Sequence, residues 1–140
     1  MKFILSIIII IAIAGIAFVW FSRIPATNIL IIQNSKGEAV TVKNFYEHPI
    51  ERFGEDAVVA RSDEYEIVYY AKDKSFIVVI RNKPAQNARD AAEQAFLRAL
   101  DISQKEACKL SVQLSVMGSV DLDLAGKDYG LSFCPHGIVF

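Results

Sequence analysis

Histidine is scarce in this chain, with two in 140 residues, His48 and His136. There is no His-Glu-x-x-His, no Gly-x-Ser-x-Gly, no glycine-rich phosphate loop and no Gly-x-Gly-x-x-Gly. Their absence removes the recognisable zinc hydrolases, serine hydrolases and nucleotide-binding folds, and no cofactor is expected. An excess of positive charge is missing too: 15 Lys and Arg stand against 16 Asp and Glu. Arg81, Lys83, Arg89 and Arg98 are interleaved with acids, whereas a nucleic-acid binder carries a basic stripe. Internal repeats and low-complexity segments are lacking.

What the chain does have is one long apolar run. Phe3 to Ser22 holds 20 residues with no charge and no proline. As a helix rising about 1.5 Å per residue it would be about 30 Å long, the thickness of a bilayer's hydrocarbon core. Lys2 precedes it and Arg23 follows it, while Trp20 and Phe21 suit a membrane–water interface. The expectation is an uncleaved signal anchor in the cell membrane at residues 1–24, a short linker at 25–27, and an extracytoplasmic domain at 28–140. The N-terminus stays in the cytoplasm. The bilayer is the expected partner of residues 3–22. Two alternatives stand beside the anchor: a cleaved signal peptide, whose apolar core is usually about 7–15 residues, and a buried core helix, which rarely lacks a polar face for this length. No Cys lies near the end of the run, so a lipoprotein attachment is excluded, and the Gly and Glu of a type IV pilin are absent. No two small residues are spaced four apart, so a helix-dimer seam is missing.

The remaining 113 residues suit one small domain, with 13 basic against 16 acidic side chains. Asn28–Gln33 and Glu38–Lys43 read as a β-hairpin around the turn residues Asn34-Ser35-Lys36-Gly37. Phe45–Asp56 has no clean period and reads as loop; Ala57–Ala60 is a short strand. Glu64–Ala71 alternates Tyr65, Ile67 and Tyr69 against Glu66, Val68 and Tyr70. Ser75–Arg81 returns as a strand apolar on both faces, which places this second hairpin centrally. Ala85–Leu100 is rich in helix formers, with Ala88, Ala92, Ala95, Phe96, Ala99 and Leu100 on one stripe. Asn82 or Lys83 is the expected cap and Pro84 lies in the first turn. Ser103-x-x-Glu106 has the form of a capping box. Lys109–Val116 is a half-buried strand, 121–130 a polar loop, and Leu131–Phe133 a last strand. The fold expected is α+β: an N-terminal transmembrane helix, then a small domain with one long helix packed on a mainly antiparallel sheet.

Cys108 and Cys134 are the two cysteines. In a cytosolic protein they would be unrelated buried thiols; in an exported domain an even count invites a disulfide. The run from Ala88 to Pro135, ARDAAEQAFLRALDIS…EACKLSVQLSV…GKDYGLSFCP, resembles small single-pass membrane-anchored bacterial proteins of unknown function. The shared elements are the helix, the Cys before a strand and the YGLSFC segment. The likeness implies the same fold and a Cys108–Cys134 bond. Where those proteins tend to carry Gly after the helix, this chain has Asp101, which tolerates a left-handed backbone less well.

Other constellations read as ordinary structure. Asp121-x-Asp123-x-x-Gly126 has the opening of a calcium loop but Ser132 where a bidentate Glu is needed. His48, His136 and Cys134 make a poor metal set, since zinc takes four ligands at short paired spacings. Cys134-Pro135-His136 is followed by Gly137, so no Cys-x-x-Cys forms. Paired acids such as Glu55-Asp56 sit at turn-like boundaries. Tyr65, Tyr69 and Tyr70, with Phe45 and Tyr46, are candidates for an interaction face, because aromatic side chains dominate contact hot spots; cross-strand pairing is the alternative. The function expected is a non-enzymatic binding or structural module of the cell envelope with a protein or cell-wall partner. The rival is an anchored enzyme with at least three convergent titratable side chains in a pocket.

Overall fold

A computed structural model describes residues 28–140 apart from Ser35. The proposed anchor at 3–22 lies outside the described residues. Among the described residues, no helix is long and apolar enough to cross a membrane.

The chain begins with a hairpin, β1 (Ile29–Gln33) and β2 (Ala39–Lys43), paired antiparallel from Ile29 opposite Lys43 to Gln33 opposite Ala39. Asn34 organises its turn. The side-chain oxygen accepts from the N–H of Lys36 and of Glu38, both at 2.9 Å, and Gly37 takes φ 81°. The Asn34 amide donates to the Lys109 carbonyl at 2.6 Å, tying the turn to the far end of the domain.

A five-stranded sheet follows in the spatial order β3-β4-β5-β6-β7. Its strands are β3 (Glu51–Phe53), β4 (Asp56–Arg61), β5 (Tyr65–Tyr70), β6 (Ser75–Ile80) and β7 (Ser111–Val116). The first four run antiparallel, and β7 joins β6 in parallel. Parallel pairing needs a crossover, and α1 (Ala85–Leu100) with the short α2 (Gln104–Ala107) supplies it. The α+β class, the mainly antiparallel sheet and the one long helix are as the sequence leads one to expect, and β5 and β6 are central.

Alternation sets the two sheet faces. Ala57, Tyr69 and Phe76 stand in one row, and Ala60, Ile67, Val78 and Leu114 in the next. These rows meet α1 through Ala88, Ala92, Ala95, Phe96 and Leu100. Alanines dominate that stripe, so the helix backbone lies close to the sheet and Phe96 fills the gap, edge-on to Phe76 at 5.1 Å. The hairpin packs on the same side through Ile32, Val40 and Val42, reaching the sheet through Phe45, Tyr69 and Phe76.

Several expectations are corrected. Phe45–Asp56 is not loop throughout: β3 forms there, three exposed residues with no apolar period to announce it. Leu131–Phe133 is not a strand; it is an irregular turn segment with Leu131 in the core. Neither Asn82 nor Lys83 caps α1. Pro84 holds the N-cap position with no side-chain hydrogen bond. At the other end Asp101 does take the left-handed conformation, φ 53°, and its N–H and that of Ile102 both reach the Leu97 carbonyl. Ala99 on the expected stripe is only half-buried, and Arg89 and Glu93 take up part of the buried face.

Candidate functional site

Two features of the domain invite a functional reading: the sheet face turned away from α1, and the clamp that holds the C-terminal segment.

The open face is built by the other half of each strand's alternation. Glu51, Val58, Val68, Ile77 and Gln113 form one row across all five strands, with Arg61, Glu66, Val79 and Ser115 beside it. Tyr70, Ser75 and Ser111 form the next row. Val58 is fully buried, Val68, Tyr70, Ile77 and Val79 are half-buried, and none of the five belongs to the cluster under the helix. No described helix or strand packs on this face. One end is closed by an ion network, with Arg61 to Glu51 at 3.0 Å, Arg61 to Glu66 at 2.7 Å and Arg81 to Glu66 at 2.8 Å. Donation to Glu66, and then to Glu51, raises the Arg61 pKa above its ordinary value.

The tyrosines expected to share one interaction face do not share it. Tyr65 and Tyr69 stand on the helix side and Tyr70 on the open side. Tyr69 is 6% exposed, edge-on to Phe45 at 5.1 Å and against Phe76 at 4.9 Å. Tyr46 joins this aromatic group and donates its hydroxyl to the Glu55 carbonyl at 2.7 Å, with the Arg52 guanidinium over its ring at 4.9 Å. Burial is the main cause that pushes both the Tyr46 and Tyr69 phenols above their usual pKa. Leu30, Ile31, Arg52 and Glu55 complete a cleft of about 380 Å³ there.

The clamp was hidden in the sequence. Arg89 is fully buried and Glu93 is 4% exposed, joined at 3.0 Å one turn apart on α1. Arg89 donates to the carbonyls of Ile138 at 2.7 Å and Gly130 at 3.0 Å, and stacks over the Phe140 ring at 4.6 Å. Glu93 accepts the Ser132 N–H at 2.6 Å and the Ser132 hydroxyl. Apart from the bond between the two, the pair's strong hydrogen bonds thus go to residues 130–138. The residues just before that segment shield the edge of β7, where the Tyr129 N–H reaches the Leu114 carbonyl at 2.8 Å and Asp128 accepts the Leu114 N–H at 3.0 Å. Covered edges of this kind prevent strand-to-strand association. A Cβ at Gly137 would overlap the Leu131 carbonyl oxygen, so the fit admits no side chain there. An Arg and a Glu four apart ordinarily mark a solvated helix face. Only the small residues around them, Ala88, Ala92 and Gly130, hint that something approaches closely.

Cys108 and Cys134 form a disulfide with Cα atoms 5.4 Å apart. It fastens the end of α2 to the clamped segment beside a cleft of about 290 Å³ that Asp128 and His136 also line. Among the described residues, no group of three or more His, Cys, Asp and Glu is placed to hold a metal ion. His48 and His136 are both exposed, and Cys134 is committed to the disulfide. Asp121 spends its carboxylate on the N–H groups of Asp123 and Leu124, as a turn residue does. Comparison with family models, curated proteins and solved structures found no match.

Proposed function

We propose that this chain is a membrane-tethered extracytoplasmic module of the cell envelope, and that the open sheet face receives a protein partner. One observation carries the binding role. β6 is apolar on both sides, the pattern of a strand covered on both, yet only its helix side is covered by described residues. Val68, Tyr70, Ile77 and Val79 make an apolar centre, and Ser75, Ser111, Gln113 and Ser115 with the Arg61–Glu66 network make a polar rim. An apolar centre inside a polar rim is the usual anatomy of a protein interface. A glycan partner would draw on a broader aromatic platform than Tyr70 and Phe53.

The location rests on the uncharged run Phe3–Ser22 and on the disulfide, a bond that persists in oxidising compartments. No arrangement among the described residues favours the enzyme reading over this one.

Photo-crosslinking in intact cells tests the proposal, with a benzophenone amino acid at position 77 or, as a control, at the exposed helix position 94. The expected result is one discrete protein adduct from 77, lost when Val68→Glu is added, and none from 94. Equal adducts from both positions, or adducts to glycan alone, contradict it.

A further inference from the structure

The outer face of the β1–β2 hairpin is an exposed sheet face of unusual composition. Ile29 and Ile31 are 50% and 62% exposed and stand opposite Lys43 and Thr41. Gln33 and Ala39 complete the face, and all six side chains are exposed. The alternate residues of the same strands, Ile32, Val40 and Val42, are fully committed to the core. The hairpin therefore has apolar side chains on both faces, and the outer isoleucines stay exposed although each borders an open cleft, Ile31 with Tyr46 and Arg52 and Ile29 with Arg98.

We infer that this outer face rests on the headgroup layer of the membrane. The inference deepens the tether reading above and rests on it. Its argument is the length of chain between the two parts. Six residues lie between Ser22, the end of the uncharged run, and Ile29, which makes seven Cα–Cα steps. Fully extended they reach about 25 Å, and the headgroup layer itself takes up about 5–8 Å of that. A domain of this length has a radius of gyration of about 13 Å, so the tether holds its attached edge within about 20 Å of the headgroups, a distance comparable to the size of the domain itself. β1 is the first strand after the linker, and its exposed isoleucines are its first and third residues.

Chemistry at the rim fits a lipid surface. Lys43 stands beside Ile29 on the neighbouring strand, and Arg98 lines the same cleft as Ile29, together with Asp101. Long basic side chains beside apolar ones suit the headgroup zone, where the stem lies against acyl carbon and the charge reaches phosphate. Tethering keeps the local concentration of the surface high, so a contact of two isoleucines and a few polar groups suffices. The hairpin packs on the helix side of the sheet, so its outer face points away from Val68, Ile77 and Val79. Docked this way, the domain presents its open sheet face away from the bilayer, free for a protein.

The test uses the full chain in nanodiscs of phosphatidylcholine and phosphatidylglycerol doped with a nitroxide-headgroup lipid. Amide intensities are read by NMR with the nitroxide oxidised and then reduced. The expected result is strong broadening at residues 29–31 and 41–43, with 77–79 and 113–115 retaining their intensity. The Ile29→Ser, Ile31→Ser double variant replaces two exposed side chains, so the core amides of α1 should not shift. It should stay in the discs and lose the broadening at 41–43. Even intensities across the domain, broadening centred on 77–79, or broadening that survives the double variant each overturn the inference while leaving the tether standing. Failure of the chain to enter the discs overturns the tether and the inference with it.

Discussion

Arg89 shows how much one side chain can decide. It is fully buried, paired with Glu93, and shares its donors with two carbonyls of the C-terminal segment. Removing one member of such a pair strands the other charge in a low-dielectric site, at a cost of about 3–5 kcal/mol. Arg89→Met should therefore lower the unfolding free energy by that amount in chemical denaturation. The double variant Arg89→Met, Glu93→Leu should regain part of it, because the stranded carboxylate is gone. A loss under about 0.5 kcal/mol, the range of ordinary surface substitutions, would show that the pair is solvated and the segment held by other contacts. The same two residues mark a limit of reading the sequence. On a helix that also carries Gln86, Asp90, Gln94 and Arg98, a charged pair four apart looks like its solvent side, and its true partners lie about 40–50 positions away at 130–138.

At the scale of elements, local chemistry and tertiary packing divide the structure between them. The capping box at Ser103 and Glu106 forms as the residues dictate: the Glu106 N–H reaches the Ser103 hydroxyl at 3.3 Å and the Glu106 carboxylate accepts the Ser103 N–H at 3.0 Å. Those bonds to Ser103, the backbone one foremost, lower the Glu106 pKa. A carboxylate whose folded pKa is depressed stabilises fully above its ordinary value of about 4.3, and the contribution is lost as pH falls through the lowered folded value. Glu106→Gln should flatten the acid limb of the thermal midpoint plotted against pH. Superimposable acid limbs for the variant and the parent would contradict the cap. Phe96, fully buried against Phe76, should cost about 3–5 kcal/mol when truncated to Ala, read by denaturant titration; a cost under about 1 kcal/mol would mean that the helix does not rest on this anchor. The helix stripe, the two hairpins and the half-buried β7 were legible because each buries one face and its period shows it. β3 was not, since all three of its residues are exposed. Leu131–Phe133 alternates like a strand, but Ser132 is drawn to Glu93 on α1 and the backbone turns instead. Asp101 took its left-handed position because the Leu97 carbonyl at the end of α1 needs the donors that this turn supplies.

For the whole molecule, three long-range fasteners act on the same end of the domain: the disulfide, the Arg89–Glu93 clamp and the Asn34 bond to Lys109. Closing the loop between Cys108 and Cys134, 26 positions apart, contributes about 3.5 kcal/mol by chain entropy. Reduction should therefore lower the thermal midpoint by many degrees while the unreduced native protein takes up no alkylating reagent; free thiols in native protein would refute the bond. With that end fixed, the sheet has a firm frame at β7. We propose that residues 3–22 hold the folded domain of residues 28–140 outside the cytoplasm. Protease added to spheroplasts carrying a C-terminally tagged full chain tests it most directly. The account predicts that intact spheroplasts lose the tag to protease while a cytoplasmic marker survives, and that untreated protein stays with the membrane fraction. Protection of the tag until lysis, or release of the intact domain into the soluble fraction, would contradict it.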